Sequence, residues 1–390
     1  MPVEPTPKQQ WSEQIKSASR ILVIPHANPD GDAVGSSLAL KQVLEKLGKE
    51  VTLAVSGEIP RTFSFLPEFS ALQKDPHLQK DLLLVLDESQ GKIGNVTLKR
   101  VAENRLIVVV TPKDGFLSPA NVRVEEGTFN VDLIIALDCA DADRIGDLRE
   151  HNPSLFFDVP VINVDHHPGN TNFGKINIVD TAASSTAEIL VALIETLAKE
   201  RTDLLDQDIA TCLLTGLITD TGSFQNGNTT PKSLTVAAQL IAAGARQQEI
   251  IKNVFKTRAL STLRLWGRTL SYLKEDADRQ FIWSVLSKAD FVAAQASQDE
   301  SSGVIDELLK TAAGMRFVLL LTERDGGIHG SLRSIEPTTD VSLIANQFEG
   351  GGHPQAAAFY IEGKNLKDNE LELINQLRNY LDSKSRLQPE

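Results

Sequence analysis

Four apolar runs in the first 220 residues stop abruptly at an acid or a histidine: Ile21 to Pro25 before His26, Leu133 to Leu137 before Asp138, Val161 to Val164 before Asp165-His166-His167, and Cys212 to Thr219 before Asp220. Short β-branched runs without polar alternation predict strands buried on both faces, as in a parallel sheet; the 207–219 pattern predicts a helix. The residues just past such a strand fall at the carboxyl edge of the sheet, where open α/β folds place their ligands. The first ten residues contain three prolines without periodicity and predict a loose arm. A helix over Trp11–Ser19 then leads into a strand at Arg20–Pro25. The turn His26-Ala27-Asn28-Pro29-Asp30-Gly31-Asp32 opens a helix ending near Gly48, and strands are predicted at Glu50–Val55 and Asp81–Leu86. Ser185 and Glu188 have the spacing of a capping box at a helix start, a position that also favours a phosphate. Thr230-Pro231-Lys232 opens a further helix.

The texture changes between 87 and 130. Short alternating segments, Val96–Val101 and Arg105–Val110, are broken by Pro112, Gly115, Pro119 and Gly127, a β-meander composition inside an α/β pattern, and predict an insertion. Residues 234–273 are almost wholly helical. Strands come next at Phe281–Leu286, Arg316–Leu321 and Ile328–Arg333, with a helical stretch at Ser302–Ala313 and a last helix after Asn365. The expected fold class is α/β. An N-terminal parallel-sheet domain (1–250, insertion about 87–130) is followed by a helical connector (251–278) and a smaller C-terminal α/β domain (279–390).

A chain of 390 residues suits two cores rather than one. It contains nothing near the roughly 20 uninterrupted apolar residues that span a bilayer, and Met1–Arg20 lacks the pattern of a secretion signal, so a cytoplasmic protein without membrane contact is expected. Cys139 and Cys212 lack metal-ligand spacing and are expected to be reduced and buried. The net charge of -13 argues against coating long nucleic acid, an affinity supplied mainly by Lys and Arg. It is compatible with small anionic substrates if bound cations cancel a carboxylate cluster.

Such a cluster is supplied by the run ends. One Asp in the 26–32 loop is accounted for by helix capping, but His26, Asp30 and Asp32 together are not. Asp141, Asp143 and Arg144 read as capping a turn, whereas Asp138 ends a buried strand. Asp30, Asp32, Asp138 and Asp220 with His26 and His166 are expected at one edge of one sheet. Carboxylates that close raise one another's pKa unless cations hold them together. Oxygen-rich ligation with some imidazole fits Mn²⁺ best, and Mg²⁺ also fits. Six ligands suit two divalent ions sharing a bridging carboxylate, and hydrolysis of a phosphate ester is the natural reaction. In the C-terminal part, Gly350-Gly351-Gly352 allows backbone amides to approach an anion closely, and His353 comes immediately after.

His26-x3-Asp30-x-Asp32, Asp138, Asp165-His166-His167 and Asp220-Thr221, in that order, resemble the signature motifs of the DHH phosphoesterases. Gly-Ser-Leu-Arg-Ser at 330–334 with Gly350-Gly351-Gly352-His353 resembles their companion C-terminal domain. The combination is most similar to bacterial nanoRNases that also remove the 3′-phosphate of adenosine 3′,5′-bisphosphate (pAp). The resemblance implies one metal on His26, Asp30 and Asp138, and another on Asp32, Asp138, His166 and Asp220, with Asp138 bridging. It implies that Asp165 holds a ligand in place and that His167 contacts the scissile phosphate or helps protonate the leaving oxygen. Arg333, Gly351, Gly352 and His353 would grip a terminal phosphate or base across an interdomain cleft.

The activity so implied is in-line attack of hydroxide on phosphorus, releasing nucleoside monophosphates from short oligoribonucleotides. Two departures from the family pattern stand out: the 87–130 segment, which could cover the cleft or make a homodimer contact, and Ala358, where a further Gly is usual. Two alternatives remain open on sequence. One is a phosphodiesterase acting on c-di-AMP or its linear product with the same metal chemistry. The other is a nucleotide-binding module without catalysis, against which the intact set of acids argues. A nuclease on long single strands is disfavoured by the lack of a basic groove or aromatic platform.

Overall fold

The computed structural model describes residues 5–74, 76, 78–198, 203–301, 303–324 and 326–385. They form two compact units, divided between Lys256 and Thr257. In the first unit α1 (Pro7–Ser17) begins earlier than expected. Thr6 caps it, Gln9 completes a capping box and Pro7 occupies the first turn, so Pro7, read as part of a loose arm, starts a helix instead. Met1–Glu4 lie outside the described residues.

The chain continues through β1 (Arg20–Pro25), α2 (Gly31–Lys46), β2 (Glu50–Ala54) and β3 (Leu72–Gln73). After β4 (Lys80–Leu86), β5 (Ile93–Ala102), β6 (Arg105–Pro112) and β7 (Val122–Phe129) it returns as β8 (Leu133–Leu137). Then come α3 (Asp147–His151), α4 (Pro153–Asp158), β9 (Val161–Asp165), β10 (Ile176–Val179), α5 (Thr186–Leu197), α6 (Gln207–Asp220), α7 (Pro231–Ala242) and α8 (Gln247–Val254). Six strands make one parallel sheet in the order β10-β9-β8-β1-β2-β3. Alternate residues of each central strand serve opposite cores. Ile21, Val23, Leu133 and Ile135 pack with α2, α5 and α6, while Leu22, Ile24, Ile134 and Ala136 pack with Leu148 and Leu155 of α3 and α4. Burial on both faces is why these strands read as unbroken apolar runs. The connections run outward in opposite directions from β1 and β8, so a topological switch point lies between their carboxyl ends, the place where such sheets bind ligands.

β4 does not join this sheet. It pairs antiparallel with β7, and β5 pairs with β6, so residues 80–129 form one long hairpin in two segments rather than a meander, and the insertion starts before residue 87. The ladder is interrupted between the two segments, where Gly115 takes a φ of 68° and a Cβ would come within 2.3 Å of the Gln90 carbonyl oxygen.

The second unit contains α9 (Leu260–Ser271), β11 (Lys274–Asp276), β12 (Phe281–Leu286), α10 (Lys288–Ala294), α11 (Val304–Glu307), β13 (Phe317–Arg324), β14 (Gly327–Ser334), α12 (Ser342–Ala345), β15 (Gly351–His353), β16 (Ala356–Glu362) and α13 (Leu366–Ser385). Its mixed sheet has the order β11-β12-β13-β14-β16-β15. The stretch expected as a connector is divided: α8 closes the first unit, and α9 buries Leu265 and Trp266 in a core with Phe291 and Val318 of the second. Where one helix was expected over 302–313, the described residues form the short α11 and a 3-10 turn, interrupted at Leu308. Among the described residues no helix is long and apolar enough to cross a membrane.

Candidate metal centre

His26 leaves β1 and turns its Nδ1 to the Ala27 carbonyl oxygen at 2.9 Å, which fixes the tautomer and leaves Nε2 with a free lone pair. Asn28 takes a left-handed φ of 53° in the adjoining turn. Asp30 then caps α2, accepting from the N–H groups of Asp32 at 3.0 Å and Ala33 at 3.1 Å. One residue into the helix, Asp32 is fully enclosed, and its carboxylate caps a different helix. Its Oδ2 accepts from the Thr186 N–H at 2.5 Å and its Oδ1 from the Ala187 N–H at 3.0 Å. The start of α5 that was expected to suit a phosphate is thus taken by a carboxylate of the chain itself. Ser185 caps α5 as expected, but Glu188 reaches the N–H of Ser184 rather than that of Ser185.

Asp138 stands just past β8 with a φ of 60°, and its N–H extends the ladder to the Val164 carbonyl oxygen at 2.9 Å. That backbone turns the buried carboxylate back across the sheet edge. Its Oδ2 lies 3.7 Å from His26 Nε2, and its Oδ1 lies 3.4 Å from His166 Nε2. Asp220, at the end of α6, places Oδ2 3.5 Å from the same His166 nitrogen. Helix α6 approaches α2 this closely because of glycine: a Cβ at Gly216 would come within 2.4 Å of Asp32 Oδ1. Asp165 is fully buried. Its Oδ1 accepts from His167 Nδ1 at 2.8 Å and its Oδ2 from Asn170 Nδ2 at 2.6 Å, leaving Nε2 of His167 free.

The ligand atoms of three groups each lie within 4.8 Å of one another: His26, Asp30 and Asp138; Asp32, His166 and Asp220; and Asp138, His166 and His167. The six residues expected to share one sheet edge therefore converge there, with Asp138 between the two sets. Burial pushes Asp32 well above the usual carboxylate range, and Asp138, Asp220 and Asp30 push it further. Burial likewise lifts Asp220 to about 6. His166 is pulled down by burial, but Asp138, Asp32 and Asp220 outweigh this and raise it to about 9. Mutual repulsion without a Lys or Arg in the set is the electrostatic signature of a site completed by cations. The donor set of carboxylates and imidazoles fits a divalent metal.

Two contributors went unread in the sequence. Thr186 donates its Oγ1 to Asp138 Oδ1 at 2.9 Å besides giving its N–H to Asp32, and Asn170 orients Asp165. Their only signal was position, one residue after an N-cap and three after the paired histidines. Asp141 caps the turn through the N–H groups of Asp143 and Arg144, as expected. Cys139 and Cys212 are free and buried.

In the second unit Gly351, Gly352 and His353 form an edge strand. Across β14, β16 and β15 the residues Arg333, Ala356 and His353 stand in one row. Gly352 has a φ of 144°, which a side chain rarely adopts. Arg333 Nε donates to Asp306 Oδ1 at 3.1 Å.

Comparison with known proteins agrees with this architecture. Residues 20–217 match the DHH family N-terminal domain and residues 278–380 the DHHA1 domain. A bifunctional oligoribonuclease and PAP phosphatase NrnA of Thermus thermophilus is 27% identical over 387 residues, covering 96% of this chain and 97% of that protein. The protein of that name from Bacillus subtilis is 30% identical over 275 residues, covering 69% and 83%. An exopolyphosphatase-related protein of Bacteroides fragilis has the same fold, with a TM-score of 0.70, 23% identity and 96% of each chain covered. The chain is a member of the DHH family, a phosphoesterase with a DHHA1 domain.

Proposed function

We propose that the protein hydrolyses short oligoribonucleotides to nucleoside monophosphates, and pAp to AMP, with two divalent cations at the clustered acids. The observation that carries this reading is the sharing of Asp138 between two sets of donors, one oxygen toward His26 and the other toward His166. His26, Asp30 and Asp138 would hold one ion, and Asp32, Asp138, His166 and Asp220 the second. When bound, such ions supply Lewis acidity to phosphoryl oxygens and make water a nucleophile near neutral pH. Mn²⁺ suits the mixed imidazole and carboxylate donors best.

The remaining residues position. Thr186 and the first N–H groups of α5 hold Asp138 and Asp32 in one rotamer each. Asp165, itself fixed by Asn170, holds His167 so that its Nε2 can meet a phosphoryl oxygen or protonate the leaving group. The row of Arg333 and His353 has the donors to take a terminal phosphate, with Gly351 and Gly352 keeping the backbone beside it uncovered. The names of the two NrnA relatives support the choice of short RNA and pAp.

The test is turnover of a dinucleotide, pAp, a longer RNA and c-di-AMP by the purified protein with Mn²⁺ and with Mg²⁺. Dinucleotide and pAp are expected to be hydrolysed fastest. Preference for c-di-AMP would replace the substrate assignment, and no turnover of any would leave only a nucleotide-binding module.

A further inference from the structure

The 80–129 hairpin carries a pattern that the phosphoesterase site does not use. Register fixes which side chains share a face. In the β4–β7 segment Leu82, Leu84, Leu86, Val122 and Val124 lie on one face with a single charge, Glu126. In the β5–β6 segment Val96, Leu98, Leu106, Val108 and Val110 lie on one face, again with a single charge, Arg100. The opposite faces mix Thr97, Lys99, Arg123 and Glu125 with apolar residues, as a solvated face does. Both apolar faces are open: Leu82 is 71% exposed, Val124 62% and Leu98 65%. Two-stranded ribbons are marginal in water unless something covers their apolar side.

We propose that the hairpin is a self-complementary dimerisation arm whose partner is a second copy of this chain. Charge selects that partner. Each apolar face carries one charge and the two are opposite in sign, Glu126 on β4–β7 and Arg100 on β5–β6. The segments as a whole are also acidic (two basic and five acidic side chains over 80–88 and 122–129) and basic (five basic and one acidic over 92–113), mostly through charges on the other faces or in the turns. A two-fold axis lays the acidic β4–β7 segment of one copy on the basic β5–β6 segment of the other, twice, and sets Glu126 opposite Arg100. Glu126 has Lys80 beside it at 3.5 Å, and Arg100 donates to the Glu103 carbonyl oxygen. Ten Leu and Val side chains per copy, about half exposed, offer on the order of the 800 Å² per partner that a standard interface buries. An isologous contact also closes on itself, so the open strand edges do not propagate.

The test is the mass of the full chain by sedimentation equilibrium at micromolar concentration, with thermal melting to show that each variant folds. The wild type is expected to be a dimer. Leu98→Asp is expected to yield monomers. Arg100→Glu and Glu126→Arg, each placing like charges together, are expected to weaken dimerisation about tenfold, and the double swap to restore it. A monomeric wild type would overturn the proposal, as it would if the arm served a different protein. It is equally overturned if the dimer persists in Leu98→Asp, or if the double swap is no better than either single one.

Discussion

Asp138 in the first unit and Asp276 in the second are both almost fully buried, yet they are neutralised differently. Asp276 has Arg378 at 2.7 Å and Arg279 at 3.3 Å, and Asp290 in the same unit has Arg268 at 2.9 Å. Burial raises both carboxyls, but hydrogen bonds to guanidinium, hydroxyl and backbone groups hold them below the ordinary range. Around Asp138 and Asp32 no lysine or arginine makes an ion pair among the described residues. The positive neighbours of Asp138 are imidazoles, at 3.4 to 3.7 Å. A buried carboxylate left unpaired costs several kcal/mol, so the first unit is finished only by charge from outside, whereas the second is finished by its own sequence.

The comparison breaks most plainly at Asp138. Asn at this position keeps the left-handed backbone, which Asn tolerates, and can still accept from Thr186, but it removes the shared charge. With Mn²⁺ and a dinucleotide, Asp138→Asn is expected to lower kcat by at least about 10³-fold with little change in folding. Comparable turnover would end the shared role of Asp138. Stripping metal is the next largest test. Mn²⁺ added to chelator-treated protein is expected to stabilise the first unit by about 2.7 kcal/mol at 100 times Kd. Amide hydrogen exchange would locate the gain in α2, β8 and α5, with no gain in the second unit; protection spread evenly over both would contradict the contrast.

The parts of the fold that were legible are those where burial imposes one pattern. β1, β8 and β9 are enclosed on both faces and therefore mostly apolar, so their ends, and with them His26, Asp138 and His166, could be read directly. The pairing of β4 with β7 was not legible, because Leu82–Leu86 is an unbroken apolar run that reads like a strand of the parallel sheet and its partner lies some 40 residues away. Nor was the edge strand Gly351–His353, since three glycines carry no alternation. In the site, ligand types at strand ends showed themselves through chemistry that few folds need. Thr186 stayed hidden because its contacts with Asp32 and Asp138 are made across 154 and 48 residues of chain.

Arg333 sharpens the comparison from the other side, since it is an arginine of the second unit that the proposed reaction would use rather than one that only pairs. Its ion pair with Asp306 is part-exposed, so its loss should cost stability no more than about 1 kcal/mol. Arg333→Ala is expected to raise KM for a dinucleotide about tenfold with kcat near that of the wild type, the pattern of lost substrate capture. A fall in kcat at constant KM would instead assign Arg333 to the reacting centre.

The smallest expected effect tests whether the second unit is self-neutralised. Asp276 and Asp290 are held below the ordinary value of 3.8, so the stability they contribute is present above that pH and fades as pH falls through their lower folded values. Urea unfolding of the wild type is therefore expected to lose stability as the pH falls below 3.8. Arg378→Ala removes one guanidinium from Asp276 and the cation that sits 5.8 Å over the Trp283 ring, while Arg279 remains. The variant should be about 1 kcal/mol less stable at pH 7 and show a shallower acid loss, because the carboxyl returns toward its unfolded value. An acid slope identical to that of the wild type would mean that Arg378 does not set the charge state of Asp276.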